Sequence, residues 1–283
     1  MPPADANRSA TRFTDVRRYD EVDSTNRVAA DLVRSGAPEG VVVVADHQTA
    51  GRGRRGRTWE APPSSSLLVS VVLRPLDPRL SSLATIACAL AAADACGDVA
   101  GFTPGLKWPN DLVVGPEQGS DEQGSDERDS DERGSDERKL AGVLAEAPDG
   151  SPAVVVGLGL NVCWPGALPA HLEPIAVTAE AVADRPVDRD RLLGAYLHRL
   201  EERWRGLAGA GEGAAMAHRA MMDDYRRRCV TLGRAVRVSL PGDQVCAGVA
   251  TSVDDDGSLL VTPAGATTTT RVLAGDVVHL RPS

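Results

Sequence analysis

Four arginines alternate with glycines in one short segment, His47–Trp59, which reads HQTAGRGRRGRTW. Guanidinium groups bind phosphate in a bidentate manner, and glycine-rich backbone leaves N–H groups free to approach an anion. The segment contains a literal G-x-G-x-x-G, but a dinucleotide-binding fingerprint must open a helix, and the continuation TWEAPPSSS is not helical. We therefore predict a mobile loop that closes over a nucleotide or an acyl phosphate.

The same arginines could instead contact nucleic acid through their charge alone. No second basic cluster and no aromatic platform accompanies them in the sequence, so the anion-binding loop is favoured. Nucleic-acid binding stays open as an alternative.

Two further segments place polar groups on strand-like sequence. In GLKWPNDLVV, Pro109 predicts a bulge or a sheet edge, so irregular backbone should position Asn110 and Asp111. In KLAGVLAE, Lys139 opens an apolar strand, and Gly142 leaves room for a ligand to approach the backbone. A lysine at a strand edge without any chemical role is the alternative on this pattern alone.

Glycines also interrupt a third strand-like segment, VVVGLGLNV, at Gly157 and Gly159. A glycine inside a buried strand predicts that a ligand or another backbone packs there. The segment ends at Asn161. Further upstream, DSTN at Asp23–Asn26 offers a helix N-cap, and apolar residues follow it at helical spacing.

The elements that must position these segments follow from apolar periodicity. Strands are predicted at Val41–Ala45, Leu67–Leu73 and Val154–Leu160, and helices after DSTN and at Leu80–Cys96, Leu192–Trp204 and Ala214–Arg228. From Cys229 onward, short β-type runs alternate with Pro-Gly, Asp-Asp-Gly and Ala-Gly turn signals, which predicts a separate small β-barrel.

The net charge of −9 comes mostly from one segment, Gly115–Arg138. It holds ten acids and three arginines, a local charge of −7, and the rest of the chain has 28 basic and 30 acidic residues. Its Ser-Asp-Glu unit recurs every five residues and brings no apolar side chain to bury. We predict a solvated low-complexity loop between two strand-like runs. An acidic segment for a basic partner is the alternative.

Composition excludes several classes of protein. The five cysteines are odd in number and form no C-x-x-C pair, so neither disulfides nor a zinc site is expected. The apolar run Leu83–Cys96 is shorter than the roughly 20 residues of a membrane-spanning helix. The polar N-terminus has no apolar core of a secretory signal. A cytoplasmic protein of about two domains is expected.

Taken together and in this order, DSTN, HQTAGRGRRGRTW, KWPNDL, KLAGVL and GLGLNV closely resemble the biotin–protein ligase family, also called biotin–acetyl-CoA-carboxylase ligases. The resemblance covers about Tyr19 to His279, and only the acidic insertion departs from the family's pattern. It implies an α+β fold. A mixed β-sheet catalytic domain flanked by helices, the class II synthetase-like or biotin ligase fold, would be followed by a small C-terminal SH3-like β-barrel.

The resemblance also implies domain bounds. A disordered tail would cover 1–14, the catalytic domain 15–228 with its acidic insertion at 115–138, and the barrel 229–283. Too few residues precede the catalytic region for the helix-turn-helix domain of family members that repress the biotin operon, so no operator DNA binding is expected.

The activity implied is that of an ATP-dependent ligase with two steps. Biotin and Mg²⁺·ATP give biotinyl-5′-AMP, and a lysine of the carrier domain of acetyl-CoA carboxylase or a related acyl-CoA carboxylase then takes the biotin. Lys139, Arg54 and Asp111 are the implied catalytic residues. Asp111 and Lys139 can meet at one substrate only if the acidic insertion loops out between two adjacent antiparallel strands. The implied biotin-binding residues are Ser24, Thr25, Asn26, Gln48, Gly51, Arg52, Gly53, Arg54, Lys139, Gly142 and Gly157. The implied ATP-binding residues are Arg54, Arg55, Arg57, Asn110, Lys139 and Asn161.

The resemblance implies no protein-held metal site and no membrane association, and it fits either a monomer or a homodimer. A lipoate or octanoyl-protein ligase of the same fold is the nearest alternative, although the arginine-rich loop is not expected there.

Overall fold

A seven-stranded mixed sheet and a five-stranded antiparallel sheet make up the computed structural model of the chain. It describes residues 11–75, 81–115, 137–209, 211–240, 244–266, 268–273 and 275–280. The strands are β1 (Val16–Val22), β2 (Val42–Gln48), β3 (Ser66–Leu73), β4 (Gly105–Lys107), β5 (Asp111–Val114), β6 (Arg138–Glu146), β7 (Val154–Asn161), β8 (Ala235–Ser239), β9 (Val245–Val253), β10 (Leu259–Thr262), β11 (Thr270–Val272) and β12 (Asp276–His279). The helices are α1 (Thr25–Arg34), α2 (Ser81–Ala100), α3 (Ala179–Ala183), α4 (Arg189–Leu207) and α5 (Glu212–Arg228).

The larger sheet has the strand order β1-β2-β3-β7-β6-β5-β4, and only β1 and β2 run parallel. Strand β3 pairs with β7 along its whole length, from Ser66 opposite Asn161 to Leu73 opposite Val154. Strands β5 and β6 pair antiparallel, as predicted for the two sides of the acidic insertion. The α+β fold with a mixed, helix-flanked sheet is therefore confirmed.

Helices cover the two faces of this sheet unequally. Helices α2 and α4 pack on one face and build the main core, whereas α1 packs on the other face against a smaller apolar cluster. Strand β7 shows how the side chains divide, because alternate residues point to opposite faces. Its buried apolar residues Val154, Val156, Leu158 and Leu160 belong to the main core. Its other face presents Val155 to α1 and then the two glycines of the GLG sequence.

A β-bulge determines on which face of the sheet the Lys139 side chain lies. Leu112 of β5 pairs with Ala141, but the next residue, Val113, pairs with Lys139, so Leu140 has no partner on β5. One extra residue shifts the alternation of side chains along the strand. Lys139 consequently lies on the same face of the sheet as Gly142, three positions later.

The C-terminal residues form a sheet of order β11-β10-β9-β8-β12. We predicted a small β-barrel. Within the described residues the strands form an open antiparallel sheet whose two edges, β11 and β12, do not pair. Its inner face buries residues such as Val236, Val238 and Leu259, which join the main core of the chain.

The apolar helix α2 is longer than predicted. It extends to Ala100, so its 20 residues are long and apolar enough to cross a membrane, and length does not exclude that role. However, 78% of its most apolar window is buried in the protein, as expected for a core helix. Burial also raises the pKa of the Cys88 and Cys96 thiols on this helix to about 12, so both behave as apolar core residues.

Two predicted boundaries need correction. The tail predicted for 1–14 ends earlier, because Phe13 is buried in the core and Arg12 pairs with Glu39 and Glu201. The insertion predicted at 115–138 also ends earlier, because the side chain of Glu137 is almost fully buried and β6 begins with the next residue. Residues 116–136 and 1–10 lie outside the described part of the chain.

Candidate active site

A cavity of about 500 Å³ lies on the α1 side of the larger sheet, between the arginine-rich loop and strand β12 of the smaller sheet. All of the motifs singled out in the sequence contribute to its wall. Its basic lining residues are Arg52, Arg54, Arg57, Lys107 and Lys139, and its acidic ones are Glu60, Asp111 and Asp276. The excess of cations suits an anionic ligand.

Three glycines form the floor of the cavity. Gly142 on β6 pairs with Gly159 on β7, and Gly157 pairs with Leu144. A Cβ atom at Gly159 would lie 2.7 Å from the Trp59 ring, and one at Gly157 would lie 2.3 Å from Oδ1 of Asn26. We predicted a ligand or another backbone at Gly157 and Gly159, but the groups that pack closest to them are the side chains of Asn26 and Trp59.

Amide and hydroxyl groups converge at one end of the cavity, at the start of α1. Gln48 Oε1 accepts hydrogen bonds from the backbone N–H and the hydroxyl of Thr25, at 2.8 and 3.0 Å. Asn26 donates to the Leu144 carbonyl at 3.1 Å and to Glu146 at 2.7 Å. Thr25 and Asn26 are buried and held by these partners, so this end of the cavity presents uncharged hydrogen-bonding groups in fixed positions.

Ser24 occupies the N-cap position of α1, as predicted, but its side chain makes no capping hydrogen bond. The buried hydroxyl of Ser70 on β3 sits behind it and donates to Thr25 Oγ1 at 2.8 Å or to Asn26 Oδ1 at 2.7 Å. The DSTN sequence therefore serves the cavity as well as the helix.

Lys139 lies where the neutral end of the cavity meets the cationic end. Its Nζ is 2.7 Å from Oδ1 of Asp111 and 5.5 Å from the centroid of the Trp59 ring. The lysine side chain keeps 34% of its exposure and the aspartate side chain 26%, so both remain open to a ligand. The buried Nε1 of Trp59 has no hydrogen-bond partner within the described residues.

The arginine-rich segment forms a small hairpin. Arg52 and Thr58 make a β-bridge, and a short 3₁₀ turn at Arg54–Gly56 closes it. Arg54 lies inside, donating to the Asn110 side chain at 3.4 Å and to the Gly275 carbonyl at 3.3 Å. Burial lowers the pKa of Arg54, while the carboxylates of Asp276 and Asp111 act in the opposite direction.

Two asparagines hold backbone near Lys139. Asn110, in the turn between β4 and β5 that also contains Pro109, donates to the Val143 carbonyl at 2.8 Å. Asn161 donates to the carbonyls of Lys139 and Val177, at 3.4 and 3.3 Å. Both side chains line the cavity while they fix the strands beside it.

Most of the predicted site residues line one cavity. The two exceptions are Gly51 and Arg55. A Cβ atom at Gly51 would lie 2.6 Å from the Trp59 carbonyl oxygen, so this glycine allows the loop to fold back on itself. Arg55 does not line the cavity, and its guanidinium contacts Asp276 and the Ser239 carbonyl instead.

Sequence reasoning missed an apolar wall of the cavity. It is made by a turn-rich segment after β7, which contributes the apolar residues Trp164, Leu168, Leu172 and Ile175 and the polar residue His171. The segment is tied to the site because Lys139 N–H donates to the Ile175 carbonyl at 2.7 Å. An isoleucine and a tryptophan in a segment rich in Pro and Gly were available signals, but nothing in the sequence linked them to Lys139.

The described residues contain no cluster of three or more side chains that could ligate a metal. Mg²⁺ commonly binds through one or two carboxylates together with substrate phosphates and water. Asp111 beside Lys139 fits such an arrangement, in which a nucleotide would bring the ion with it.

Comparison with known proteins agrees with this geometry. Residues 19–162 match the biotin/lipoate A/B protein ligase family, and residues 231–280 match the biotin protein ligase C terminal domain. A biotin–[acetyl-CoA-carboxylase] ligase of Mycobacterium tuberculosis is 37% identical over 94% of this chain and 90% of its own length. One from Paracoccus denitrificans is 30% identical over 86% of this chain and 92% of its own length.

Solved structures show the same fold. Biotin protein ligase from Aquifex aeolicus in complex with biotin and ATP superposes with a TM-score of 0.73 at 22% identity, over 95% of this chain and all of that one. The family model matches just over half of the chain, and both relatives are covered over most of their own length. The chain therefore belongs to the biotin/lipoate A/B protein ligase family.

Proposed function

We propose that this enzyme is a biotin–protein ligase that makes biotinyl-5′-AMP and transfers biotin to a lysine of a carboxylase carrier domain. The observation that carries the proposal is the position of Lys139. It lies between a rigid, neutral, hydrogen-bonding end of the cavity and a cationic end roofed by Arg54. The charge along biotin matches that along the cavity, because biotin has a neutral ureido ring at one end and a carboxylate at the other.

In the first step, a biotin carboxylate oxygen attacks the α-phosphorus of ATP. An acyl–phosphate bond forms, the bond to the bridging oxygen breaks, and pyrophosphate leaves with the electron pair. In the second step, the neutral carrier lysine amine attacks the acyl carbon, the bond from that carbon to the phosphate oxygen breaks, AMP leaves with the electron pair, and the nitrogen loses one proton to solvent to give the amide. Both steps build negative charge on oxygens beside the same linkage, so preorganised cations there supply much of the rate.

Two cations that line the cavity suit this role. Lys139, whose Nζ is 2.7 Å from Asp111, would lie between the carboxylate and the α-phosphate. Arg54, held by Asn110 and the Gly275 carbonyl, would lie over the same region. Asp111 fixes Lys139 before substrate binds and, in this proposal, orients the incoming amine afterwards.

The remaining residues bind and align the substrates. Ser24, Thr25, Asn26 and Gln48 would hold the ureido ring over Gly142 and Gly157, with Arg52 and Gly53 closing above the chain. Arg57, Asn110 and Asn161 would hold the nucleotide, with the apolar wall around Leu172 and Ile175 beside it. Mg²⁺ would arrive on the ATP phosphates and neutralise the leaving pyrophosphate.

The proposal includes the carrier domain of acetyl-CoA carboxylase or a related acyl-CoA carboxylase as partner, and a cytoplasmic location. The names of the relatives support the partner. The cysteines, all of them free and four of them buried, support a reducing compartment. Activity in either the monomer or a homodimer is compatible with the proposal, because every residue assigned a role belongs to one chain.

Lipoate transfer is the alternative that must be tested, because the family includes both activities. We would incubate the purified chain with ATP, Mg²⁺, radiolabelled biotin or lipoate, and a biotin carrier domain. The matched control for the carrier domain is the same domain with its acceptor lysine changed to arginine. Label from biotin should appear only on the parent carrier. Equal or preferential labelling by lipoate would refute the assignment of substrate.

A further inference from the structure

The start of strand β12 and the residue before it, Asp276 and Gly275, contact the arginine-rich loop. Asp276 accepts from Arg57 at 2.7 Å and from Arg55 at 3.3 Å. The carbonyl of Gly275 accepts from Arg54 at 3.3 Å. Three of the four arginines in the loop are therefore held by two consecutive residues of another domain.

The loop needs an anchor of this kind. Its arginines repel one another, its 3₁₀ turn contains no buried residue, and Arg55 has a φ of 55°, in the left-handed region that side-chain-bearing residues rarely adopt. Local forces therefore do not favour the observed conformation. Asp276 supplies the opposing charge, and the Ser239 carbonyl adds a hydrogen bond to Arg55 at 3.1 Å.

Other carboxylates of the C-terminal sheet do not share this role. Asp255 pairs with Arg226 of α5 at 2.6 Å, and Asp254 and Asp256 pair with Arg271. Among the acids of this domain that the structure describes, Asp276 alone contacts the loop, and it also lines the cavity.

The other end of β12 is itself fixed to the catalytic domain. His279, three residues after Asp276, is buried, with Nδ1 3.1 Å from Glu137 and Nε2 3.2 Å from Thr231 Oγ1. Glu137 lies two residues before Lys139. Strand β12 is thus held relative to Lys139, so a loop anchored on Asp276 is also placed relative to Lys139.

We propose that Asp276 is a positioning residue that holds the arginine-rich loop closed over the adenylate by anchoring Arg55 and Arg57 on strand β12. Retention of an adenylate by the closed loop rests on the proposed function. Anchoring of the loop by Asp276 does not depend on that function. The C-terminal sheet thereby acts in retaining the reaction intermediate.

Trypsin tests the anchor without any ligand, because its cleavage sites include the loop arginines. Loop cleavage would be followed by mass spectrometry and normalised to cleavage after Arg34, for the parent and for Asp276→Asn. Loss of two partly exposed ion pairs should speed loop cleavage by about five- to tenfold. The matched control Asp255→Asn also removes a carboxylate from an arginine of the same domain and should leave loop cleavage unchanged.

The second measurement is the rate at which preformed biotinyl-5′-AMP leaves the enzyme. It should rise by about tenfold in Asp276→Asn, stay at the parent rate in Asp255→Asn, and return to within about threefold in Asp276→Glu, which keeps the charge. The melting temperature of Asp276→Asn should stay within about 4 °C of the parent, as expected for loss of surface pairs in a chain of this size.

Unchanged loop cleavage in Asp276→Asn would overturn the anchor. Faster cleavage with an unchanged release rate would overturn the role in retention, as would a failure of Asp276→Glu to restore it. If the parent formed no adenylate at all, the proposed function would fail, and the trypsin comparison would still decide whether Asp276 anchors the loop.

Discussion

Replacing Lys139 with methionine separates catalysis from stability. The change removes the charge but keeps the unbranched side chain that lies beside Trp59. The lysine lies at the start of β6 and keeps a third of its exposure, so the strand should not depend on it. We expect a folded protein with a severe defect in forming the adenylate.

The magnitudes follow from the contacts. A partly exposed ion pair such as Lys139–Asp111 contributes about 0.2–1 kcal/mol, and a cation–π contact at this exposure about 0.5–1 kcal/mol. Stability should therefore fall by no more than about 2 kcal/mol. Loss of one preorganised charge donor should slow adenylation by about 10²- to 10³-fold, or about 2.7–4 kcal/mol of the barrier.

Biotin-dependent pyrophosphate release under single-turnover conditions measures the chemical step, and urea unfolding measures stability. Arg138→Met is the matched control, because Arg138 is the preceding residue on the same strand and its side chain is exposed. It should change neither quantity appreciably. Pyrophosphate release within about fivefold of the parent in Lys139→Met would refute the catalytic assignment, since that loss is well below one donor's contribution.

Three further predictions concern the rest of the site. Arg54→Gly should let biotinyl-5′-AMP leak into solution and acylate lysines of a bystander protein, which mass spectrometry would detect; retention as long as in the parent would contradict a lid role for Arg54. Replacing 116–136 with a short turn that keeps Glu137 should leave the adenylation rate within about threefold and shift stability by about 1–2 kcal/mol; loss of adenylation would mean that the insertion belongs to the site. Glu137→Gln should cost about 1–3 kcal/mol at neutral pH by urea unfolding, because a buried acceptor loses its charge. Burial raises the pKa of Glu137, but the hydrogen bond and charge of His279, with Arg234 and Lys107, outweigh it and hold the pKa below its ordinary 4.5. The stabilisation by ionised Glu137 is therefore present above about pH 4.5 and lost as pH falls further. Below that pH, the free energy of unfolding of the parent should fall more steeply than that of Glu137→Gln, by up to about 1.4 kcal/mol per pH unit. Equal slopes for the two proteins would contradict this.

The strands of the catalytic domain were predictable because their signals lie within short stretches of sequence. Buried strands such as Val154–Asn161 are continuous apolar runs, and their glycines indicated where a side chain or ligand must approach. The pairing of β5 with β6 followed from the need to bring Asp111 and Lys139 together across the insertion. The strands needed only periodicity and residue size, whereas the pairing of β5 with β6 rested on the site roles that the family resemblance implies.

The remaining features depend on tertiary geometry. Whether Lys139 faces the cavity depends on the bulge at Leu140, which apolar periodicity does not reveal. Glu137 belongs to a solvated repeat by composition, yet it is buried because His279 and Arg234 converge on it from the C-terminal sheet. The contact between Asp276 and the arginine-rich loop joins residues more than 200 positions apart, so no local pattern predicts it.

The central claim is that this chain joins biotin to AMP at Lys139. The most direct test is to mix the purified enzyme with ATP and Mg²⁺, with and without biotin, and to identify the bound product by mass spectrometry in the absence of any carrier. We predict that biotinyl-5′-AMP and pyrophosphate form in amounts stoichiometric with enzyme, only when biotin is present, and only in trace amounts over the same time with Lys139→Met. Absence of biotinyl-5′-AMP from the parent enzyme, or its formation at the parent rate in Lys139→Met, would contradict the account.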